Sequence, residues 1–171
     1  SLKVRICLAE KDLEWVDHSF KPHENKHLTP DYLAMNPNGV VPTLVHDGIP
    51  IIDSSTILEY LDEAFPERSF SPSDPVGRAR MRAWLRYIEE KLTPAVRYPT
   101  FNRILIRNYQ DLSDDDFDTQ AEIRPLKSDF YKQMGRDGFD DGTIERAVGE
   151  IRGTVERMER ALVEEGPWLL G

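Results

Sequence analysis

The stretch Asn36-Pro37-Asn38-Gly39-Val40-Val41-Pro42-Thr43-Leu44-Val45-His46-Asp47-Gly48-Ile49-Pro50-Ile51-Ile52-Asp53-Ser54-Ser55 decides the fold. Two short apolar runs, Val40 to Val45 and Ile49 to Ile52, are split by Asp47 and Gly48, which are turn residues, so the pair reads as a β-hairpin. Pro42 stands at the mouth of the first run and has no N–H to give a ladder, so the backbone there must do something other than ordinary pairing. A cis Val41–Pro42 bond would turn the Val41 amide and carbonyl toward an extended peptide beside the strand; a plain edge-strand proline is the other reading. Asp53, Ser54 and Ser55 open the next helix, and any one of them suffices as its N-cap. Together they suit an α-amino acid head, because a helix N-terminus with a hydroxyl attracts a carboxylate and Asp53 attracts an ammonium group.

Working outward, the residues before the hairpin predict a helix through Val4, Ile6, Leu8 and Ala9, a short strand at Trp15 to Phe20, a loop, and a short helix at Tyr32 to Met35. After it, a helix from Ser54 carries Ile57, Leu58, Leu61 and Phe65 on one side. The breaker cluster Pro66, Ser69, Ser71, Pro72, Ser73, Asp74 and Pro75 marks a boundary, giving an α/β domain over 1–66, a linker over 67–75 and an all-α domain over 76–171. In the second domain Asp74 and Pro75 are an N-cap and first-turn pair, and Met81, Trp84, Leu85, Ile88 and Leu92 form an apolar stripe until Pro94 kinks or ends the helix. Ser113 can cap a helix opened by three acidic residues. A last helix repeats Ile144, Val148, Ile151, Val155, Met158 and Leu162 as the seam of a helical bundle, until Gly166 and Pro167 stop it.

Composition excludes several classes. The chain of 171 residues, 39% hydrophobic and 31% charged, is long enough to bury a core and has the mix of a soluble protein. A window of about 18 apolar residues is absent, so no membrane partner is expected. The net charge of −9, without a basic run, disfavours nucleic acid. Cys7 is the single cysteine; it excludes an internal disulfide and a Cys-based zinc site, so no metal is expected, and its apolar setting reads as a buried, inert thiol suited to the cytoplasm.

The segment NPNGVVPTLVHDG followed by DSSTILEYLDEAFPE, with the opening SLKVRICLAEKDLEW and the closing GPWLLG, resembles the glutathione transferase superfamily, and the likeness runs along nearly the whole chain. It implies a thioredoxin-like domain followed by a helical one, with glutathione as co-substrate. It also implies that Val41 pairs through its backbone with the cysteinyl part of glutathione, that Pro42 is cis, and that Asp53 and Ser54 hold the γ-glutamyl group. His27 resembles the residue that some classes use for the glycyl carboxylate; a solvent-exposed loop histidine is the alternative. Val40 departs from relatives that carry Lys or Gln there, which leaves the carboxylate to His27, Lys26 or water.

The likeness further implies that the first strand of the thioredoxin-like domain and the catalytic hydroxyl or thiol precede Ser1, and that a further helix follows Gly171. The helical half is similar, more weakly, to bacterial transferases that include the β-aryl-etherases. Conjugation of the glutathione thiolate to a hydrophobic, aromatic electrophile in a detoxifying role is the implied activity. Etherase, isomerase and non-catalytic scaffold are the alternatives. Tyr87, Arg97, Tyr98 and Phe101 are the candidate electrophile contacts, and relatives are homodimers.

Overall fold

The computed structural model describes residues 1–21 and 24–170; Pro22 and His23 of the expected loop, and Gly171, lie outside the described residues. The chain forms two compact units, one built from Ser1–Phe70 with Asp118–Tyr131, the other from Ser71–Phe117 with the residues from Lys132 onward.

In the first unit, helix α1 (Leu2–Glu10) places Val4, Cys7 and Leu8 on one face by their spacing of three and four. They bury against Ile57 and Leu61 of helix α3 (Ser54–Ala64), with Leu44 and Ile51 of the hairpin packed alongside. Each such aliphatic side chain contributes about 1.5–3 kcal/mol on burial. Burial pushes the Cys7 thiol above its ordinary pKa, in keeping with an inert sulfur. A short helix α2 (Pro30–Met35) precedes the hairpin, in which β1 (Thr43–His46) pairs antiparallel with β2 (Ile49–Ile52) in the register Thr43↔Ile52 to His46↔Ile49. Asp47 and Gly48 both have positive φ, +50° and +78°, the handedness that matches strand twist in a two-residue turn.

One expected element does not form. Residues 15–20 run without a ladder partner among the described residues, and Val16 is 80% exposed. A β-strand is defined by its pairing, and Trp15 to Phe20 has the composition for it but no pairing partner among the described residues.

The second unit opens with helix α4 (Pro75–Tyr87), whose first N–H groups are taken by the Asp74 carboxylate, at 3.0 Å from Val76 N and 2.9 Å from Gly77 N. Pro94 does not end the helical run. Its missing donor is absorbed by a π-turn over Ile88–Leu92, where Thr93 N–H reaches the Ile88 carbonyl, and helix α5 (Thr93–Thr100) follows directly. Pro99 lies inside α5 without ending it, and a second π-turn follows over Phe101–Leu105. Helix α6 (Asp114–Glu122) is capped by Ser113, whose Oγ accepts from Asp116 N at 3.1 Å; α7 (Ser128–Met134) and α8 (Asp141–Glu165) complete the chain.

Helix α8 packs on α5, yet its buried face differs from the expected seam. Thr143, Ala147 and Thr154 are buried while Val148 and Val155 are 41% and 48% exposed. The small residues let the backbones approach, so packing selects Ala and Thr where hydropathy alone selects Val. No helix among the described residues is long and apolar enough to cross a membrane.

Candidate functional site

The turn from Asn36 to Pro42 is built around a buried amide. Asn36 is fully buried; its Nδ2 donates to the Val40 carbonyl at 2.8 Å and to Thr43 Oγ1 at 3.1 Å, and its Oδ1 accepts from Asn38 N at 3.1 Å. Tyr32 braces the same two groups, with its hydroxyl 2.8 Å from Val40 O and 2.8 Å from Thr43 Oγ1. Val40 is thereby satisfied and fixed, and the next residue is left projecting. Val41 is 54% exposed, and among the described residues neither its N–H nor its carbonyl has a partner. The Val41–Pro42 peptide is cis.

Thr43↔Ile52 is the end of the ladder, so Pro42 and Asp53 leave the hairpin at the same end. Asp53 has a positive φ of +69° and caps α3: its Oδ1 accepts from Ser55 N and Thr56 N, each at 3.0 Å. The cap uses one carboxylate oxygen. Ser54, in the first turn of α3 and half-buried, has no hydrogen-bond partner for its N–H or hydroxyl among the described residues. Lys3 Nζ donates to Ser55 Oγ at 3.0 Å, which places an ammonium group beside the same helix start.

His27 lies in a 3-10 turn, Lys26–Leu28, and its imidazole stacks on Phe20 with centroids 5.9 Å apart. Phe20 in turn meets Tyr32 edge-on at 6.2 Å, so an aromatic chain links His27 to the residue that holds Val40. Desolvation, and then the nearby Arg124 guanidinium, lower the His27 pKa below its ordinary value, so the ring is a neutral donor at neutral pH. Among the ligand candidates of the first unit, the structure groups Val41 and Pro42 with Asp53 and Ser54 through the hairpin end and ties His27 to the same turn through Phe20 and Tyr32.

The electrophile candidates lie in the second unit, along the helical run from α4 to the second π-turn. Tyr87 is engaged internally: Arg157 lies 3.9 Å over its ring, Trp84 meets it edge-on at 5.9 Å, and its hydroxyl is 3.3 Å from Thr154 Oγ1. Tyr98 packs edge-on against buried Phe139 at 4.7 Å. Arg97 is half-buried, and its guanidinium has no partner among the described residues. Phe101 is half-buried in the π-turn. Asn36, Tyr32, Phe20, Lys3 and Arg124 carry no motif of their own. Asn36 lies in Asn-Pro-Asn-Gly, a run of turn-forming residues that carries no local signal of burial.

A helix-flanked hairpin with a Val-cis-Pro turn, a capped helix start at its open end, and a helical second unit together make up the glutathione transferase fold. The family described as Glutathione S-transferase, N-terminal domain matches residues 1–69. The chain belongs to the glutathione transferase superfamily, with a thioredoxin-like N-terminal domain and a helical C-terminal one. Within it, the chain is 30% identical over 169 residues to the protein LigF of Sphingobium sp., covering 96% of this chain and 66% of that protein. The solved β-etherase LigF structure superimposes with a TM-score of 0.85 at 28% identity, over 99% of this chain and 74% of that one. The probable glutathione S-transferase parC of Nicotiana tabacum is 37% identical over 94 residues, 53% of this chain and 41% of that protein. The chain thus spans 41% to 66% of the length of these two curated relatives.

Proposed function

We propose that the protein binds glutathione at the hairpin end of the first unit and transfers its thiolate to a hydrophobic, aromatic electrophile. The observation that carries this reading is the unpaired, exposed Val41 backbone standing at the same hairpin end as the open Ser54 N–H and hydroxyl. Val41 would take the cysteinyl backbone as an added strand segment. Ser54 would take the α-carboxylate at the helix N-terminus, and the second oxygen of Asp53 the ammonium group. His27, as a neutral N–H donor, would take the glycyl carboxylate. A thiol of ordinary pKa about 8.5 is mostly protonated at neutral pH. Lowering it by one to two units, which is about 1.4–2.7 kcal/mol, makes the thiolate available.

In the conjugation step a C–S bond forms as the leaving group departs with its electron pair. Likeness to the β-etherase LigF over 96% of the chain favours a second electrophile class, a β-aryl ether, in which the C–O bond breaks and the aryl oxide leaves and is protonated. Arg97, a half-buried cation, suits such a departing oxyanion, with Tyr98 and Phe101 as aromatic surface. Cytoplasmic location and a homodimer belong to the same proposal, supported by the unpaired cysteine and by kinship. Glutathione consumption measured against a panel of aryl halides and β-aryl ethers decides between the two; turnover of neither class removes the transferase reading.

The ligand assignment has its own test. Asp53→Asn retains an N-cap acceptor and removes the charge, and Ser54→Ala removes the hydroxyl. Calorimetry should show glutathione affinity falling by roughly tenfold in the first variant, with the thermal midpoint unchanged, and by about fivefold in the second. Binding as tight as the parent's in both variants sinks the assignment.

A further inference from the structure

We propose that Arg124 is a positioning residue for the carboxylate end of the glutathione site: acting through Asn25, it fixes the turn that carries His27. The inference rests on the glutathione reading above. Arg124 comes from the stretch Asp118–Tyr131, nearly a hundred positions beyond that turn, yet it belongs to the first unit and is 3% exposed. Its Nη2 donates to Asn25 Oδ1 at 3.1 Å, its Nη1 donates to the Gln120 carbonyl, and Gln120 Oε1 accepts from Asn25 Nδ2 at 3.1 Å. Arg124, Gln120 and Asn25 therefore close a three-cornered clamp, and the guanidinium plane is held from another side by the Tyr131 ring at 4.3 Å.

Asn25 is the hinge of the turn. It has a positive φ of +50°, and its carbonyl accepts from Leu28 N at 2.8 Å, which closes Lys26-His27-Leu28 into its single 3-10 turn. With its side chain pinned by Arg124, the direction in which His27 leaves the backbone is set. The neighbouring residue acts on the other ligand-bearing turn: a Cβ at Gly39 would lie 2.9 Å from Pro125 Cδ and 3.0 Å from Leu28 Cδ2. One segment thus buttresses both the His27 turn and the turn that presents Val41. A planar fork matched to side-chain amides is what Arg supplies and Lys does not. Desolvation first, and the Arg124 charge second, lower the His27 pKa, so His27 offers the carboxylate a hydrogen bond from a neutral ring.

The test compares glutathione with γ-glutamylcysteine, which lacks the glycyl carboxylate, by calorimetry on the full-length protein. Asn25→Gly keeps the positive φ free of strain and removes the side chain that bonds Arg124 and Gln120. Arg124→Met removes the fork and Arg124→Lys keeps its charge. In Asn25→Gly and Arg124→Met, glutathione should bind roughly tenfold more weakly and γ-glutamylcysteine within about twofold of the parent. Arg124→Lys should follow Arg124→Met. Unchanged glutathione binding in Asn25→Gly, at a temperature where the variant is fully folded, overturns the inference while leaving the glutathione reading intact. So does an equal loss of both ligands. If the parent protein binds neither compound, the glutathione reading falls first and this inference with it.

Discussion

Replacing Lys11 by Met should lower the stability of the first unit by about 3–5 kcal/mol, because it strands a buried carboxylate. Lys11 Nζ lies 2.8 Å from Asp62 Oδ1, with the side chains 1% and 9% exposed. The same ammonium group donates to the carbonyls of Phe65 at 3.0 Å and Arg68 at 2.7 Å, and sits 4.8 Å from the centroid of the Phe70 ring. Asp62 in turn accepts from Ser69 Oγ at 3.0 Å and Phe70 N at 2.8 Å. The pair fastens residues 65–70, the last of the first compact stretch, to the C-terminal ends of α1 and α3. For a chain of this size each kcal/mol shifts the thermal midpoint by about 2–4 °C, so a fall on the order of 10 °C is expected. Lys11→Met combined with Asp62→Leu should recover much of the loss, since it removes the stranded charge. A double variant no more stable than Lys11→Met alone contradicts this account.

This pair also shows where sequence reading stops. The hairpin was legible because Asp47-Gly48 and the flanking apolar runs are local signals, and the starts of α3 and α4 were legible because Asp53 and Asp74 are local caps. The Val41–Pro42 turn was legible as an anomaly: a proline where a ladder donor is needed. Trp15 to Phe20 was misread because β-propensity is local and pairing is not. The seam of α8 was misread at Val148 and Val155, while Ile144, Ile151, Met158 and Leu162 are half-buried, because hydropathy ranks Val above Thr and Ala whereas close packing ranks them by size.

The candidate site was half legible for the same reason. Val41, Asp53, Ser54 and His27 carry the chemistry a ligand would meet, and their residue types announce it. The residues that hold them, buried Asn36 and Arg124 and half-buried Tyr32 and Asn25, are polar groups made structural by their hydrogen bonds, and polar residues are read as surface by default. The return of residues 118–131 to the first unit has no signal in composition at all; it follows from tertiary packing, as with Pro125 against the space where a Gly39 side chain would stand.

Asn36→Leu should have the largest effect on glutathione binding among changes that touch no ligand group. Leucine fills the volume but supplies no polar atoms, so Asn38 N loses its acceptor and Val40 O and Thr43 Oγ1 keep only the Tyr32 hydroxyl. Each buried polar group left short costs about 1–3 kcal/mol, so a loss of about 2–4 kcal/mol in stability is expected. Functional damage exceeds it in specificity, because the Asn36 amide sets where the chain leaves Val40, and that sets where the Val41 N–H and carbonyl point. Asn36→Asp separates the two effects. The carboxylate retains the acceptor for Asn38 N but cannot donate to Val40 O or Thr43 Oγ1, so the turn stays closed at one end and opens at the end that carries Val41. Calorimetry should therefore show Asn36→Asp weakening glutathione by roughly tenfold at a temperature where the variant is fully folded. Glutathione bound at parental affinity by folded Asn36→Asp would show that the Val41 backbone is not the docking edge, however much stability the substitution had cost.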